Sequence, residues 1–326
     1  MRYDGITAAI GDTPLVRIEP AVHGLHHIDV YAKLEMLNPF GSVKDRAAWN
    51  MVRPGLESAV EQRSQIVELS SGNTAKALSV IAGMYGLSFK SVTNRMRVPE
   101  VRDLLLLLGA EIEELPGRSE CLDPTDTEDP LTLFHRALSD PDSTYLHTDQ
   151  YYNESNTLAH ELGTGPEILA DLDGRAPDWF IACVGTAGSS TGIARALRAA
   201  DPKVHVAGLV AHKSDFIPGI RTIDEVHEVG LFDPATYDSM ASVHGAVRHL
   251  QTVDTPTADG ERRTAVFIVC DRVESYLSYV KQRRPDLFGL KERKNSLRDV
   301  SEAELGAVVS VPAHEAEAWI RASQPL

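Results

Sequence analysis

Short runs of β-branched and aliphatic residues alternate with longer segments of helical periodicity along most of the chain. Such alternation is typical of α/β proteins, in which helices connect the strands of a parallel sheet. The pattern therefore predicts an α/β protein, whereas the charged segment from Lys291 onward contains no clear strand. Strands are predicted at residues 66–69, 89–92, 111–115, 179–184, 204–210 and 265–270, and helices at residues 75–85, 98–108 and 191–200.

Size and composition indicate a folded protein in a reducing environment. The 326 residues, 43% of them hydrophobic, are enough for one large or two ordinary domains. A net charge of −15 repels phosphate backbones and anionic lipids, so we expect neither nucleic acid nor a membrane as partner. Three scattered cysteines without a CxxC pair argue against disulfides and a cysteine-rich metal site, and we expect no metal. The N-terminus lacks a signal-peptide pattern, which predicts a cytoplasmic location.

Three polar segments stand where predicted strands give way to helices, the usual place for ligands in such sheets. The first runs from Asn38 to Arg46, where Ser42 is expected to cap a helix beginning near Lys44. A partly desolvated lysine at the positive end of a helix has a lowered pKa, which Schiff-base chemistry requires. The alternative is a solvated lysine at an ordinary helix start.

The other two segments are candidate anion sites. Residues 70–74 (SSGNT) combine hydroxyls, an amide and backbone N–H groups, which suits a substrate carboxylate or, alternatively, an ordinary polar turn. Residues 185–192 (GTAGSSTG) predict a phosphate cradle, because small residues let the backbone approach closely. This segment is neither a P-loop, since no lysine follows, nor a dinucleotide fingerprint, since the GxGxxG spacing is absent. The alternative is a glycine-rich loop without a ligand.

Together these segments resemble the cysteine synthase and cystathionine β-synthase family of fold-type II pyridoxal phosphate enzymes. The likeness runs in order from about Gly11 to Ile220 and returns weakly at Asp271 to Leu277. It implies two open parallel-type α/β domains of the tryptophan synthase β-like architecture and a homodimer. We expect residues 40–148 to form a small mobile domain, with residues 1–39 and 149–326 forming the larger one. The resembling motifs are GDTPLVRI, YAKLEMLNPFGSVKDRAA, ELSSGNTA, QYYNESN and GTAGSSTG.

The resemblance also implies roles for individual residues toward the cofactor, pyridoxal 5'-phosphate. Lys44 would carry the cofactor as a Schiff base and remove the substrate α-proton, and Asn73 would hydrogen-bond the ring hydroxyl. The α-carboxylate of the substrate would be held by Ser70, Ser71, Gly72, Thr74 and Gln150. The 5'-phosphate would be held by Gly185, Thr186, Ala187, Gly188 and Ser189.

Arg272 falls where the family commonly has a serine beside the ring nitrogen. An arginine only donates hydrogen bonds, so it would keep that nitrogen unprotonated and favour direct β-elimination over a long-lived carbanion. The alternative is that Arg272 lies exposed on the surface.

The expected reaction is β-replacement on an activated L-serine derivative, of the O-acetylserine or O-phosphoserine type, through an aminoacrylate. The partners are then a small-molecule amino acid and a nucleophilic acceptor that need not be sulfide. Two alternatives stay open: β-elimination alone, as in a serine/threonine dehydratase or cysteine desulfhydrase, and a degenerate regulatory homologue that binds the cofactor or an amino acid.

The chain departs from the family at the expected mouth of the site. Alanines replace usual glycines at 75 and 187, and the family's glycine-rich turn survives only as FIPG within residues 211–221. We hypothesise that His212, Lys213 and Arg221 admit a larger or anionic partner. The alternative is that these three residues form a solvated charged loop.

Overall fold

The computed structural model describes residues 2–94, 96–116, 126–138, 144–212, 217–226, 229–242, 245–288 and 310–312. Two β-sheets organise these residues, one of seven strands and one of four. The predicted α/β class and the open parallel-type sheets are confirmed. Within the described ranges, no helix is long and apolar enough to cross a bilayer.

The six predicted strands are found with ends shifted by at most two residues, and the described residues contain five further strands that were not predicted. In chain order they are β1 (Leu15–Ile18), β2 (Ile28–Lys33), β3 (Ile66–Leu69), β4 (Phe89–Thr93), β5 (Glu111–Glu114), β6 (Leu146–His147), β7 (Trp179–Cys183), β8 (His205–Val210), β9 (Ser239–Ser242), β10 (Arg263–Ile268) and β11 (Ser310–Pro312).

The helices cover the segments between these strands. They are α1 (Pro20–His23), α2 (Lys44–Val52), α3 (Leu56–Gln62), α4 (Asn73–Met84), α5 (Pro99–Leu107), α6 (Pro130–Leu138), α7 (Glu154–Ala159), α8 (Gly165–Asp171), α9 (Gly188–Ala200), α10 (Gly245–Thr252) and α11 (Leu277–Arg283). A π-helical turn (His160–Thr164) joins α7 to α8. Short 3₁₀ turns lie at Ile6–Ala9, Glu35–Leu37, Arg53–Gly55, Pro234–Thr236, Val273–Tyr276 and Pro285–Phe288.

The larger sheet has a parallel centre and antiparallel edges. Its spatial order is β1-β2-β10-β7-β8-β9-β11, and every neighbouring pair from β2 to β9 is parallel. The edge strands β1 and β11 pair antiparallel with β2 and β9. The expectation of no strand beyond Lys291 is therefore wrong at β11, because three residues are too few to show a strand period in the sequence.

The smaller sheet, in the order β5-β4-β3-β6, is parallel throughout. Its strands all fall within the predicted small domain of residues 40–148, whose separate movement stays a prediction. The two sheets are not independent in their packing: one apolar cluster contains Leu69 and Val92 of the smaller sheet region together with Phe180 and Val184 of the larger. Burial of these side chains fixes the carboxyl ends of β3 and β7 near each other.

Two helices begin earlier than the sequence pattern predicts. The helix expected from residue 75 begins at Asn73, and that expected from residue 191 begins at Gly188. The missed first turns consist of small polar residues and glycine, which have weak helix propensity. Both candidate anion-binding segments therefore reach into helix N-termini, where backbone N–H groups lack intrahelical acceptors.

A buried charge network anchors α2 to the larger sheet. The Arg46 guanidinium contacts Glu35 at 2.7 Å and Glu167 at 2.6 Å, and Glu35 is 0% exposed. Lys33 adds a contact to Glu167 at 3.0 Å. Although burial opposes it, the cations Arg46 and Lys33 lower the pKa of Glu167 to about 2. The network holds the helix that begins with Lys44 in a fixed position.

We expect Arg46→Met to destabilise the protein by about 3–5 kcal/mol, because the substitution leaves the Glu35 carboxylate buried without its partner. Urea unfolding of the cofactor-loaded protein, followed by intrinsic fluorescence, measures the change. Arg195→Met is the matched control, since Arg195 pairs with Glu154 and Glu161 on the surface and should contribute about 1 kcal/mol at most. Equal losses of unfolding free energy in the two variants would contradict this account of the charge network.

Candidate active site

Lys44 is the first residue of α2, as the sequence predicts. The preceding turn is tied to the larger sheet by the Val43 N–H, which donates to the Cys270 carbonyl at 2.8 Å. Ser42 Oγ accepts the Lys44 N–H at 3.2 Å and donates to Asp45 Oδ1 at 3.1 Å, so this serine stabilises the helix start. The half-buried Lys44 side chain reaches the larger sheet, where Nζ donates to Thr186 Oγ1 at 3.1 Å.

The surroundings of Lys44 favour its neutral amine. Burial is the largest cause of a lowered pKa at Lys44, and the Arg221 guanidinium acts in the same direction against the opposing influence of Cys270. The predicted desolvated lysine is therefore found, and the solvated alternative does not describe it. A neutral amine is the form that attacks an aldehyde.

The loop between β7 and α9 has the shape of an anion cradle. A Cβ at Gly185 would lie 2.5 Å from the Gly219 carbonyl oxygen, and one at Gly188 would lie 2.2 Å from Asn156 Oδ1, so both positions exclude a side chain. Ala187 between them has φ +62°, in the left-handed region that alanine rarely adopts. The N–H groups that open α9, from Gly188 and Ser189, are available to a phosphate at the positive end of this helix.

The turn between β3 and α4 presents the second set of predicted residues. Ser70 Oγ accepts the N–H groups of Gly72 and Ala75, both at 3.3 Å, and keeps its own proton for another acceptor. Ser71 and Gly72 are half-buried, and a Cβ at Gly72 would meet nothing within 4 Å, so the turn faces open space. Hydroxyls and helix N–H groups at one open turn suit a carboxylate. That role stays a prediction.

Gln150 joins this turn to the phosphate-cradle loop. Its Oε1 accepts from Thr74 Oγ1 at 2.7 Å, and its carbonyl accepts from Asn156 Nδ2 at 2.8 Å. Asn156 Nδ2 also donates to Thr186 Oγ1 at 3.0 Å, beside the contact from Lys44. One chain of hydrogen bonds therefore connects the two candidate anion sites with the lysine.

Two residues of this network were missed by the sequence reasoning. Asn156 lies within the resembling QYYNESN block but received no role. Glu68 lies in the buried strand β3, is 0% exposed and accepts from the Gln150 N–H at 3.2 Å and from the Thr148 hydroxyl. Burial raises the pKa of Glu68 to about 7. An acidic residue inside an apolar strand was the available signal, because carboxylates are rarely buried without partners.

Asn73 stands at the start of α4, facing the end of β10. Its Nδ2 donates to Asp271 Oδ2 and, at 3.0 Å, to the Tyr276 hydroxyl, which also donates to Asp271. Arg272 is exposed, so its predicted contact with a ring nitrogen has no support in its position and stays a prediction. Of the adjacent residues Asp271 and Arg272, it is Asp271 that contacts Asn73. The sequence reasoning gave Asp271 no role.

The basic residues predicted at the mouth of the site differ in their burial. Arg221 is 8% exposed, and its Nη2 donates to the Tyr151 hydroxyl at 3.0 Å, so the solvated alternative does not hold for it. The Arg221 guanidinium also lies 5.4 Å from the centre of the Tyr151 ring. His212 is exposed, and Lys213 lies outside the described residues. A buried positive charge therefore faces the same region as the Lys44 amine.

Comparison with known families assigns this arrangement. Residues 6–271 match the family described as pyridoxal-phosphate dependent enzyme. The chain belongs to this family. The expected dependence on pyridoxal phosphate is thereby confirmed.

Known enzymes resemble the chain in sequence or in fold. Cysteine synthase B of Campylobacter jejuni is 32% identical over 246 residues, covering 70% of this chain and 78% of that protein. The N-(2-amino-2-carboxyethyl)-L-glutamate synthase of Cupriavidus metallidurans is 37% identical over 213 residues, covering 65% and 61%. The solved cysteine synthase of Entamoeba histolytica has the same fold, with a TM-score of 0.72 at 22% identity over 94% of this chain and 96% of that one. The predicted cysteine synthase resemblance is confirmed.

The site fits the cofactor of this family. Lys44 has the lowered pKa that an aldehyde-binding amine needs, and the first turn of α9 offers N–H groups for a phosphate. Asn73, whose amide contacts Asp271 and Tyr276, would hydrogen-bond a ring substituent. The residues expected to hold the cofactor are thus on facing elements, and their individual roles stay predictions.

A second lysine makes the assignment of Lys44 testable. Lys76 is half-buried near the turn that precedes Lys44, with Nζ 3.6 Å from the Cβ position of Gly41. Burial lowers the pKa of Lys76 as well. We expect Lys44→Ala to abolish the visible cofactor band and the borohydride-trapped adduct, because the amine that would carry the cofactor is lost. Lys76→Ala should keep both signals.

Absorbance spectra and peptide mapping after borohydride reduction measure these outcomes. The adduct should appear only on the peptide that contains residue 44. An adduct that persists in Lys44→Ala and maps to residue 76 would show that the second lysine carries the cofactor.

Proposed function

We propose that this enzyme catalyses β-replacement on an activated L-serine derivative of the O-acetylserine or O-phosphoserine type. The observation that carries the proposal is the hydrogen-bond chain from Thr74 through Gln150 and Asn156 to Thr186 and Lys44. This chain connects the turn, the loop and the amine that would serve as carboxylate site, phosphate site and base. Both sequence relatives described above bear names of synthases, which supports a reaction that joins two molecules.

Substrate binding begins at the turn before α4. Backbone N–H groups of Asn73 and Thr74 lack intrahelical acceptors, and Ser70 has a hydroxyl proton to donate. Gln150 Nε2 donates one proton to the Leu69 carbonyl at 2.8 Å and has a second proton to offer. These donors would hold the α-carboxylate and orient the α-carbon toward Lys44.

Lys44 Nζ would then move the α-proton. The bound cofactor supplies an electron sink that weakens the bonds at the α- and β-carbons of the amino acid. Burial keeps the Lys44 amine closer to neutral, so it can accept the α-proton near neutral pH. Thr186 Oγ1, which accepts from Lys44 Nζ and Asn156 Nδ2, keeps the amine aimed into the site.

The domain arrangement and the assembly belong to the same proposal. Residues 40–148 would move as a small domain and close over the carboxylate, which excludes water during the reaction. Residues 1–39 and 149–326 would form the larger domain, and two copies of the chain would form a cytoplasmic homodimer. The four-stranded sheet within residues 66–147 supports the division, while the dimer and the location rest on the family resemblance and the composition.

Product analysis tests the reaction type. Incubation of the cofactor-loaded enzyme with O-acetyl-L-serine or O-phospho-L-serine and a nucleophile should release acetate or phosphate and form one adduct per leaving group. Sulfide and L-glutamate are suitable nucleophiles, because the two relatives differ in acceptor by name. Pyruvate and ammonia as the main products with every nucleophile would show β-elimination instead. No reaction and no spectral change with any amino acid would favour the regulatory homologue.

Arg221 supports an anionic partner for this reaction. Its guanidinium is buried and close enough to Lys44 to lower the pKa of the amine. The Arg221 backbone is fixed to the cradle region, because its N–H donates to the Val184 carbonyl at 2.8 Å. A buried cation beside the site stabilises a substrate or acceptor carboxylate or phosphate by a charge-assisted hydrogen bond.

We expect Arg221→Ala to lower kcat/KM for L-glutamate as acceptor by about 10- to 100-fold, since a hydrogen bond to a charged group is worth about 1.5–3 kcal/mol. The loss with L-glutamine, which has a neutral side chain of the same shape, should be smaller. The control Tyr151→Phe removes the hydroxyl that Arg221 contacts and keeps the charge. An equal loss of kcat/KM for both acceptors in Arg221→Ala would contradict a contact between Arg221 and the anionic partner.

A further inference from the structure

Two histidines and an aspartate converge outside the cofactor site. His135 lies on α6, His147 ends β6 and Asp149 follows two residues later. One side-chain ligand atom from each residue lies within 4.8 Å of the other two. His135 Nε2 and Asp149 Oδ1 lie 3.0 Å apart. The cofactor-binding and substrate-binding residues described above include none of these three.

His147 supplies an independent sign of a missing partner. Its Nε2 is buried and has no hydrogen-bond partner among the described residues. The ring stands edge-on to that of His135, with centroids 5.4 Å apart and planes at 79°. Because buried polar atoms almost always have a partner, a buried ring nitrogen beside a second imidazole and a carboxylate requires an explanation. A bound cation that accepts the lone pair of His147 Nε2 would be such an explanation.

The three residues stand on anchored backbone. α6 is held by Leu131 and Leu138, which are 1% and 6% exposed, and its first turn is capped by Asp129, which accepts the Thr132 N–H at 3.0 Å. In β6, His147 pairs in register with Val67 of β3. Ligands on anchored elements bind a metal with little loss of conformational entropy.

Solvent can reach one side of the cluster. The His135 and Asp149 side chains are 16% and 25% exposed, whereas the unpartnered nitrogen of His147 is buried. A cation bound to the three residues would therefore have room for a water molecule as its fourth ligand. Three protein ligands plus one water is a common zinc arrangement.

We propose that His135, His147 and Asp149 bind a divalent zinc-class cation. Two imidazole nitrogens and one carboxylate oxygen form a donor set that zinc and cobalt accept. Ligand atoms around a tetrahedral zinc lie roughly 3.3 Å apart, as bonds of about 2.0–2.2 Å require. The ligand atoms here are at most 4.8 Å apart, so a bound cation would draw them together by about 1.5 Å at most.

The cation would act on the cofactor site through the chain segment that follows His147. It would link α6 to the end of β6, and the next residues, Thr148 and Gln150, donate to the buried Glu68. A fixed strand end keeps Gln150 in contact with Thr74. The expected role is therefore structural support for the carboxylate-binding turn, separate from the β-replacement chemistry.

Metal titration of the cofactor-loaded enzyme tests the site. After treatment with a chelator and removal of free cofactor, which itself binds metals, the protein is titrated with Zn²⁺ by calorimetry and with Co²⁺ by visible absorption. We expect one cation per chain, with cobalt bands of a low-coordinate nitrogen and oxygen site. The melting temperature should rise with Zn²⁺.

Three variants decide the ligands. His147→Ala and His135→Gln should each weaken Zn²⁺ binding by about 100-fold or more, since the loss of a ligand exceeds the 10- to 100-fold cost of losing an outer contact. His135→Gln retains a side-chain donor for Asp149, so a simple hydrogen-bonded pair would tolerate it. His26→Ala, at an exposed histidine, should bind as the parent does.

Several outcomes would overturn the proposal. The site is absent if Zn²⁺ binding is unchanged in both cluster variants, or if the parent enzyme binds none. A cobalt–thiolate charge-transfer band would place the metal on a cysteine instead. Circular dichroism and retention of the cofactor band confirm that each variant is folded, and the His135→Gln result stands alone if His147→Ala fails to fold.

Discussion

The active site depends on one contact between facing elements, the hydrogen bond from the Lys44 amine to the Thr186 hydroxyl. Lys44 opens a helix that packs against α4 of the smaller sheet, and Thr186 belongs to the loop after β7 of the larger sheet. The contact brings an amine with a lowered pKa to the positive end of α9, where a phosphate is stabilised. Without this contact, the site would consist of two separate polar turns and a solvated lysine.

The same helix connects stability to chemistry. Arg46, one half-turn after Lys44, forms buried contacts with Glu35 and Glu167 on the larger sheet side. A buried charge network contributes little to net stability compared with apolar packing, but separating its partners leaves a buried charge uncompensated at a large cost. The network therefore fixes the direction of α2, and through it the position of the Lys44 amine, more strictly than hydrophobic contacts would.

The sequence predicted the fold class, six of the eleven described strands and the three chemical segments, because each of these depends on local pattern and composition. Lys44 at a helix start, the loop after β7 and the turn after β3 were all recognisable from neighbouring residues. The missed features depend on contacts between distant residues: Asn156 matters because it bridges Gln150 and Thr186, and Glu68 because its strand is fully buried.

The choice between Asp271 and Arg272 shows the same limit. The two residues are adjacent in sequence, and only the backbone direction after β10 determines which side chain faces Asn73. The cluster of His135, His147 and Asp149 carried no sequence signal either. Its histidines are separated along the chain and lie on a helix and a strand, so no ligand spacing of a known metal motif appears.

Two costly features argue that the site has been kept for catalysis rather than for binding alone. Ala187 has a left-handed backbone conformation that costs an L-residue about 1–2 kcal/mol, and it lies in the loop that would hold the phosphate. Desolvation of the Lys44 amine also disfavours its charged form, which reduces stability near neutral pH. A module that only bound a phosphate could use the same strained loop, but it would gain nothing from an amine whose pKa burial lowers. The combination is explained when the amine must act as nucleophile and base beside a phosphate held at the start of α9.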